Sequence, residues 1–316
     1  MTITEITAEL KKAKSVLIFS HNRPDGDTVG SATALRLALS KLNIPTDLVC
    51  ANDIPEKLRY IKSVEHYNKQ IPNGEYSAFV AVDMANEFMF TELYSAFSKH
   101  KNTFNIDHHI SNSRYAKFNY VEEASATCEI ICKIILELGV KIDGEIANSL
   151  LTGIVTDTGA FHHSNVTSQT LTIASSLLES GADLHFIMKR NFKDQPKERA
   201  ILYGKVISKM RLLLDGELGV LVITKKDIEE SGAVDNMTEG FIDYPMTVDT
   251  VQVALSLLET GKNRYKISLR SKGKVDVNEI ASIYGGGGHI LASGAVINGY
   301  LEDIIDKLTF NVKQRL

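Results

Sequence analysis

Residues 15–30 read SVLIFSHNRPDGDTVG. Ser15–Ser20 is a short apolar run bounded by polar residues, the pattern of a strand buried on both faces of a parallel sheet. It ends in the polar turn His21-Asn22-Arg23-Pro24-Asp25-Gly26-Asp27. From Thr28 to Leu42, Val29, Ala32, Leu35, Leu39 and Leu42 recur at helical spacing. Strand, turn and helix make one α/β unit, and the pattern continues outward. Strands are expected at Thr46–Cys50, Ser77–Val82 and Asn102–Ile106, and helices near Ala124–Leu138 and Gly144–Val155. This alternation predicts an α/β fold with a mostly parallel open sheet and helices on both faces.

The pattern changes after Gly181-Ala182. Leu184–Met210 is helical in spacing and charge-rich, with a break at Pro196. A hairpin is expected from Arg211–Leu214 through Asp215-Gly216 to Leu218–Thr224. Strands follow at Val251–Leu258, Tyr265–Leu269 and Ala295–Ile297, and helices at Asn278–Tyr284 and Leu301–Phe310. The expected division is a first domain over 1–185, a helical linker over 186–212 and a smaller α+β domain over 213–316.

The chain has 316 residues, 44% hydrophobic and 23% charged, which excludes a disordered or low-complexity polymer. No run approaches the ~18 apolar residues of a membrane helix. The run Val16–Phe19 is too short for a signal-peptide core, so a cytoplasmic location and no membrane partner are expected. Three cysteines, Cys50, Cys128 and Cys132, are too sparse and odd in number for a disulfide framework. Cys128 and Cys132 lack a second pair to complete a zinc site and read as buried apolar thiols. Residues 1–185 hold 16 Lys+Arg against 22 Asp+Glu, a charge of −6, whereas residues 186–316 hold 19 against 17, a charge of +2. An acidic first half suits carboxylates stored for metal ions; a slightly basic second half suits an anion.

The ends of the apolar segments carry the chemistry. Asp83 follows Ser77–Val82, Asp107-His108-His109 follows Asn102–Ile106, and the apolar stretch before Thr156 runs into Asp157. Ligands of open α/β sheets bind outside the carboxyl ends of the strands. Singly, each residue has a plainer reading: a D-x-D is usually a turn, and Asp27 could cap the helix after it. Four segments delivering His or Asp to one edge are harder to dismiss. Mixed carboxylates and imidazoles suit manganese, and less strictly magnesium or iron. A pair of ions roughly 3.5–4 Å apart needs a bridging carboxylate and separate ligands for each ion.

H-x-x-P-D-G-D, a strand-end Asp, D-H-H and a late T-D-T-G, in that order, resemble the DHH phosphoesterase family. Gly285-Gly286-Gly287-Gly288-His289 followed by Ala292-Ser293-Gly294-Ala295 resembles the GGGH motif of the family's substrate-binding domain. Length and layout look most like the short bacterial members, nanoRNases that also act on 3′-phosphoadenosine-5′-phosphate (pAp). The resemblance implies that His21 and Asp25 bind one metal, that Asp27, His108 and Asp157 bind the other, and that Asp83 bridges. It implies that Asp107 orients His108, that His109 touches the phosphate and protonates the leaving oxygen, and that Asn112 lines the same rim. Arg270 and Ser271 would contact substrate.

The glycine run supports an anion site independently, because consecutive glycines let backbone N–H groups face an anion. Gly286, Gly287, Gly288 and His289 are thus expected to cradle phosphate. Arg264, Lys266, Ser268 and Arg270 share one face of an alternating segment, and a solvated basic face is the plainer reading for Arg264 and Lys266. Two departures remove a positive charge: His162 stands where relatives often carry a basic residue, and Met246 where they often carry arginine. His162 is kept as a substrate candidate. His66, His100 and His185 read as surface residues.

The function implied is a manganese-dependent phosphoesterase, with magnesium the alternative ion. Two divalent ions would activate a bridging water against short oligoribonucleotides, pAp or both. Alternatives are a phosphodiesterase for pApA or cyclic dinucleotides, and a non-catalytic nucleotide or RNA binder that keeps the fold. Expected partners are short single-stranded RNA, pAp or linear dinucleotides as substrate; a homodimer is left open.

Overall fold

Val16–Phe19 forms strand β1, and all four side chains are fully buried. In the computed structural model, which describes residues 1–316, it lies near the middle of a six-stranded parallel sheet. The other strands are β2 (Thr46–Val49), β3 (Tyr67–Asn68), β4 (Ala78–Val82), β5 (Thr103–Asp107) and β6 (Phe118–Val121), in the order β3-β2-β1-β4-β5-β6. Helices α1 (Ile3–Lys12), α2 (Gly26–Lys41), α3 (Thr91–Lys99), α4 (Thr127–Glu137), α5 (Gly144–Asp157), α6 (Ser168–Glu179) and α7 (Leu184–Met188) complete this unit. Alternation along β1 explains the layering. Val16 and Ile18 enter a core with residues of α1, α2, α4 and α5, while Leu17 and Phe19 enter an aromatic core with Phe79, Phe90 and Phe97 on the other face. The strand order reverses between β1 and β4, the kind of switch point at which open sheets leave a crevice.

The chain divides into two compact units, Met1–Asp194 and Gln195–Leu316. The second contains α8 (Lys197–Ser208), β7 (Arg211–Leu213), β8 (Leu218–Ile223), α9 (Lys225–Ser231), β9 (Val253–Gly261), β10 (Arg264–Ser271), α10 (Val277–Ile283), β11 (Gly287–His289), β12 (Ala292–Asn298) and α11 (Leu301–Lys313). Its sheet runs β11-β12-β10-β9-β8-β7 and is antiparallel except for the parallel pair β8–β9. Leu255, Leu257, Ile267 and Leu269 pack under α10 and α11, and Leu221 and Ile223 pack under Leu202 and Val206 of α8.

The segment 186–212, expected as a linker, is packed at both ends. Ile187 joins the core of the first unit, and α8 joins that of the second. Both apolar stripes find a core, so the boundary falls at 194/195. The glycine run also differs from expectation, because Gly287–His289 is a strand paired antiparallel with β12. No helix is long and apolar enough to cross a membrane.

Candidate metal centre

Each candidate ligand stands where a strand or helix begins or ends. His21 follows β1 and is buried; its Nδ1 accepts a hydrogen bond from the Arg23 N–H at 3.3 Å. Its Nε2 lies 3.7 Å from Asp25 Oδ1 and 3.6 Å from Asp83 Oδ2. Asp25 is the N-cap of α2, its Oδ1 accepting the N–H groups of Asp27 and Thr28 at 3.1 Å each. The capping role considered for Asp27 therefore falls to Asp25. Asp27 sits in the first turn, fully buried, and its two oxygens accept the N–H groups of Thr127 (2.6 Å) and Cys128 (2.9 Å) at the start of α4.

Asp83 follows β4 with φ +59°, a left-handed conformation uncommon outside glycine. Strain of this kind persists where surrounding structure holds it. Here the Asp83 N–H donates to Ile106 O at 3.0 Å, and Thr127 Oγ1 donates to Asp83 Oδ1 at 3.1 Å. The turn aims Oδ2 at His21 and Oδ1 at His108 Nε2, 3.5 Å away. His108 Nε2 is also 3.4 Å from Asp157 Oδ2, while its Nδ1 is 3.0 Å from Ala124 O. A carbonyl only accepts, so Nδ1 carries a proton, and Nε2 is the nitrogen turned to the two carboxylates of Asp83 and Asp157.

Asp157 closes α5, and its approach depends on small residues. A Cβ on Gly153 would lie 2.3 Å from Cys128 Sγ and 2.6 Å from Asp27 Oδ1, and one on Gly26 would lie 2.2 Å from Thr156 Oγ1. Glycine at these positions lets α2 and α5 close on each other and brings Asp27 to Asp157. The ligand atoms of His21, Asp25 and Asp83 lie within 4.8 Å of one another, as do those of Asp27, His108 and Asp157. Those of Asp83, His108 and His109 do too.

Electrostatics agree with a cation-binding role. Burial, reinforced by the charges of Asp27, Asp25 and Asp157, pushes Asp83 well above the usual carboxylate range. Burial and repulsion from Asp27, Asp25 and Asp107 push Asp157 up to about 9. Burial also raises Asp27, with His108 opposing and Asp25 adding to the shift. Asp25 alone is held low: burial works against it, but His21 and the N–H groups of Thr28 and Asp27 outweigh burial. Crowded carboxylates ionise together only when positive charge neutralises them. This donor set fits divalent ions that accept both carboxylate and imidazole.

Asp107 is placed differently from expectation. Its Oδ1 lies 2.7 Å from His109 Nδ1, so it orients His109, while His108 is fixed by Ala124 O. That hydrogen bond raises His109 above the ordinary histidine pKa; burial opposes it and the Asp107 charge adds to it. Asn112, expected on the substrate rim, instead donates from Nδ2 to Asp107 Oδ2 (2.6 Å), Asn105 Oδ1 (2.8 Å) and Met84 O (3.1 Å). Its amide holds Asp107 and has no donor left for a ligand.

A cavity of about 520 Å³ opens over the ligands, and its wall includes Arg23, Phe88, Met89 and His109. Phe88 and Met89 escaped sequence reasoning; Asn86-Glu87-Phe88-Met89-Phe90 offers no periodicity that separates a wall residue from a core one. His162 is exposed and stands outside the cavity wall. His163 Nδ1 lies 3.1 Å from Asp157 O. His100 is not a free surface residue: it stacks on Phe79 at 4.1 Å, and both ring nitrogens contact carbonyls, of Asn102 and Tyr76.

In the second unit, Lys266, Ser268 and Arg270 line a cavity of about 470 Å³. Arg270 Nη1 donates to Leu269 O at 3.1 Å, and its Nε lies 3.6 Å from Asp243 Oδ1. Ser271 points to the other face. It is buried, and its Oγ accepts the N–H groups of Gly273 (3.0 Å) and Val275 (3.4 Å), so it closes a turn rather than meeting a ligand. The N–H of Gly286 donates to Ala281 O at 3.0 Å, and a Cβ there would lie 2.1 Å from Gly294 O. Gly286 is therefore demanded by packing. Gly287, Gly288 and His289 are exposed on an edge strand rather than on a loop.

Residues 15–154 match the DHH family, N-terminal domain, and residues 219–314 match the DHHA1 domain. The chain is 32% identical to the bifunctional oligoribonuclease and PAP phosphatase NrnA of Thermus thermophilus, over 98% of this chain and 94% of that one. It is 30% identical to the probable bifunctional oligoribonuclease and PAP phosphatase NrnA of Streptococcus mutans, over 96% of each. The crystal structure of an exopolyphosphatase-related protein from Bacteroides fragilis superposes with a TM-score of 0.87 at 25% identity, covering 99% of this chain and 96% of that one.

Proposed function

From the membership of this chain in the DHH family, with the DHHA1 domain in its second unit, we propose that it is a phosphoesterase that hydrolyses short oligoribonucleotides and pAp. Its near full-length relatives in Thermus thermophilus and Streptococcus mutans carry both activities in their names. The observation that carries the reading is the position of Asp83. One oxygen faces His21 and the other faces His108, so a single carboxylate serves both ligand groups.

His21, Asp25 and Asp83 would hold one divalent ion, and Asp27, His108 and Asp157, with Asp83 shared, the other. Manganese is the favoured ion, because imidazoles stand among the donors. When bound, such a pair activates water and neutralises phosphoryl charge. The protein's own groups do the rest. Asp107 fixes the His109 ring through Nδ1, which leaves Nε2 to donate to a phosphoryl or leaving oxygen. Asn112 keeps Asp107 in place. In the second unit Arg270, and the exposed edge at Gly287, Gly288 and His289, supply donors for a nucleotide phosphate.

The test is an assay of the purified chain with manganese or magnesium against 5′-labelled RNA of two to ten nucleotides, with pAp and pApA alongside. Turnover of the shortest RNAs and of pAp, faster with manganese, is expected. Turnover of pApA alone would favour a dinucleotide phosphodiesterase, and no turnover with either ion would overturn the reading.

A further inference from the structure

Phe88 is 75% exposed, and it stands in the wall of the same cavity as His21, Asp25, Asp83 and His109. A large aromatic side chain gains little stability from that position, since the favourable term comes from burying its apolar surface and Phe88 leaves most of it in water. Two residues on, Phe90 is fully buried against Phe19, Tyr94, Phe97 and Tyr115. The contrast fixes the turn that carries both. Phe90 anchors it from below, and Asn86 Oδ1 caps it by accepting the Phe88 N–H at 3.1 Å. Met89 O accepts the Asn22 N–H at 2.7 Å, which ties the turn to the loop that bears His21. Asn22 Nδ2 adds a bond to Glu92 Oε2 at 2.6 Å. These bonds fix the backbone of the turn, and the Phe88 ring stands exposed at the mouth of a polar cavity. Arg23, which forms no ion pair, stands in the same wall and can meet a phosphate.

We propose that Phe88 is a stacking platform for a nucleobase next to the scissile phosphate, and that it makes the metal-centre cavity select nucleotides over phosphate esters that lack a ring. This rests on the phosphoesterase reading and deepens it. A cavity of about 520 Å³ falls within the roughly 300–1,000 Å³ of small-ligand sites. Base–aromatic stacking tolerates any base, because every base has a π-face. The ring therefore supplies affinity without sequence preference, as an enzyme for mixed short RNAs would need.

The experiment compares the full chain with Phe88→Ala, Phe88→Leu and Phe88→Trp. The substrates are a ribodinucleotide and two versions of it, each lacking one of the two bases. F88A is expected to lose about tenfold in kcat/KM on the intact dinucleotide, F88L to lose nearly as much and F88W to retain activity. On one of the two abasic substrates the wild type and F88A should be equal. An F88A enzyme equal to wild type on the intact dinucleotide would overturn the inference. So would an equal loss on all three substrates, which would indicate a merely structural role. A wild-type chain inactive on every substrate would overturn the phosphoesterase reading itself, a result distinct from an active wild type that F88A leaves unchanged.

Discussion

Asp83 and Asp107 behave differently although both end parallel strands. Asp83 offers an oxygen to each ligand group, so Asp83→Ala should empty both. Bound metal per chain, measured by elemental analysis, should fall to near zero. Turnover should drop by more than about a hundredfold, since loss of an outer hydrogen-bond partner of a metal ligand alone costs about 10–100-fold. Asp107→Asn should leave metal content unchanged and act through His109. The carboxylate raises the His109 pKa, and removing its charge lowers that pKa. A group that donates a proton must hold it, and it is lost as pH rises through its pKa. The alkaline limb of the kcat/KM profile should therefore move to lower pH in Asp107→Asn. The candidate ligands His21, Asp83 and His108 were legible in sequence because each follows a strand whose end faces a known edge, and Asp25, Asp27 and Asp157 because they stand at helix ends beside that edge. The partner of Asp107 was not legible. Whether it meets residue i+1 or i+2 depends on how the chain turns after β5, and no residue type in Asp107-His108-His109 dictates that turn.

At the scale of elements, the interior strands β1 and β4 were readable because each is a fully buried apolar run, and β5, equally buried, was readable from Phe104 and Ile106 ahead of Asp107. The edge strands β3 and β6 were not. β3 is two residues long, and the four residues of β6 are half-buried, so neither carries a period. Within the glycine run, Gly286 answers a steric demand from β12, which no sequence period reveals. Close approach also governs α2 and α5. Gly153→Ala would drive a methyl group into Cys128 Sγ and Asp27 Oδ1. A cost of about 1–3 kcal/mol is expected in urea unfolding, with weaker metal binding because Asp27 and Asp157 are forced apart.

At the scale of the whole chain, the uneven charge division parallels the division of candidate groups. Every candidate metal ligand falls in Met1–Asp194, and Arg270 with the exposed glycine edge falls in Gln195–Leu316. Arg270→Ala should therefore lower kcat/KM on short RNA by roughly tenfold or more, the worth of a charge-assisted hydrogen bond, with metal content unchanged. Metal loss in that variant would contradict the assignment. The two-part layout was legible from the change of pattern after residue 181. The boundary was not, because the amphipathic segments on either side of Pro196 look alike in sequence and differ only in which core receives them.

Asp27 has a second consequence, through the two amides it receives from the start of α4. A carboxylate that keeps its charge holds both donors firmly, and one that takes up a proton gives up part of that grip. The Thr127 and Cys128 amide signals in a nitrogen–proton NMR spectrum should therefore act as a gauge inside the protein. They should shift, and their exchange with solvent should slow, as diamagnetic magnesium is titrated in, reporting occupancy without any substrate present.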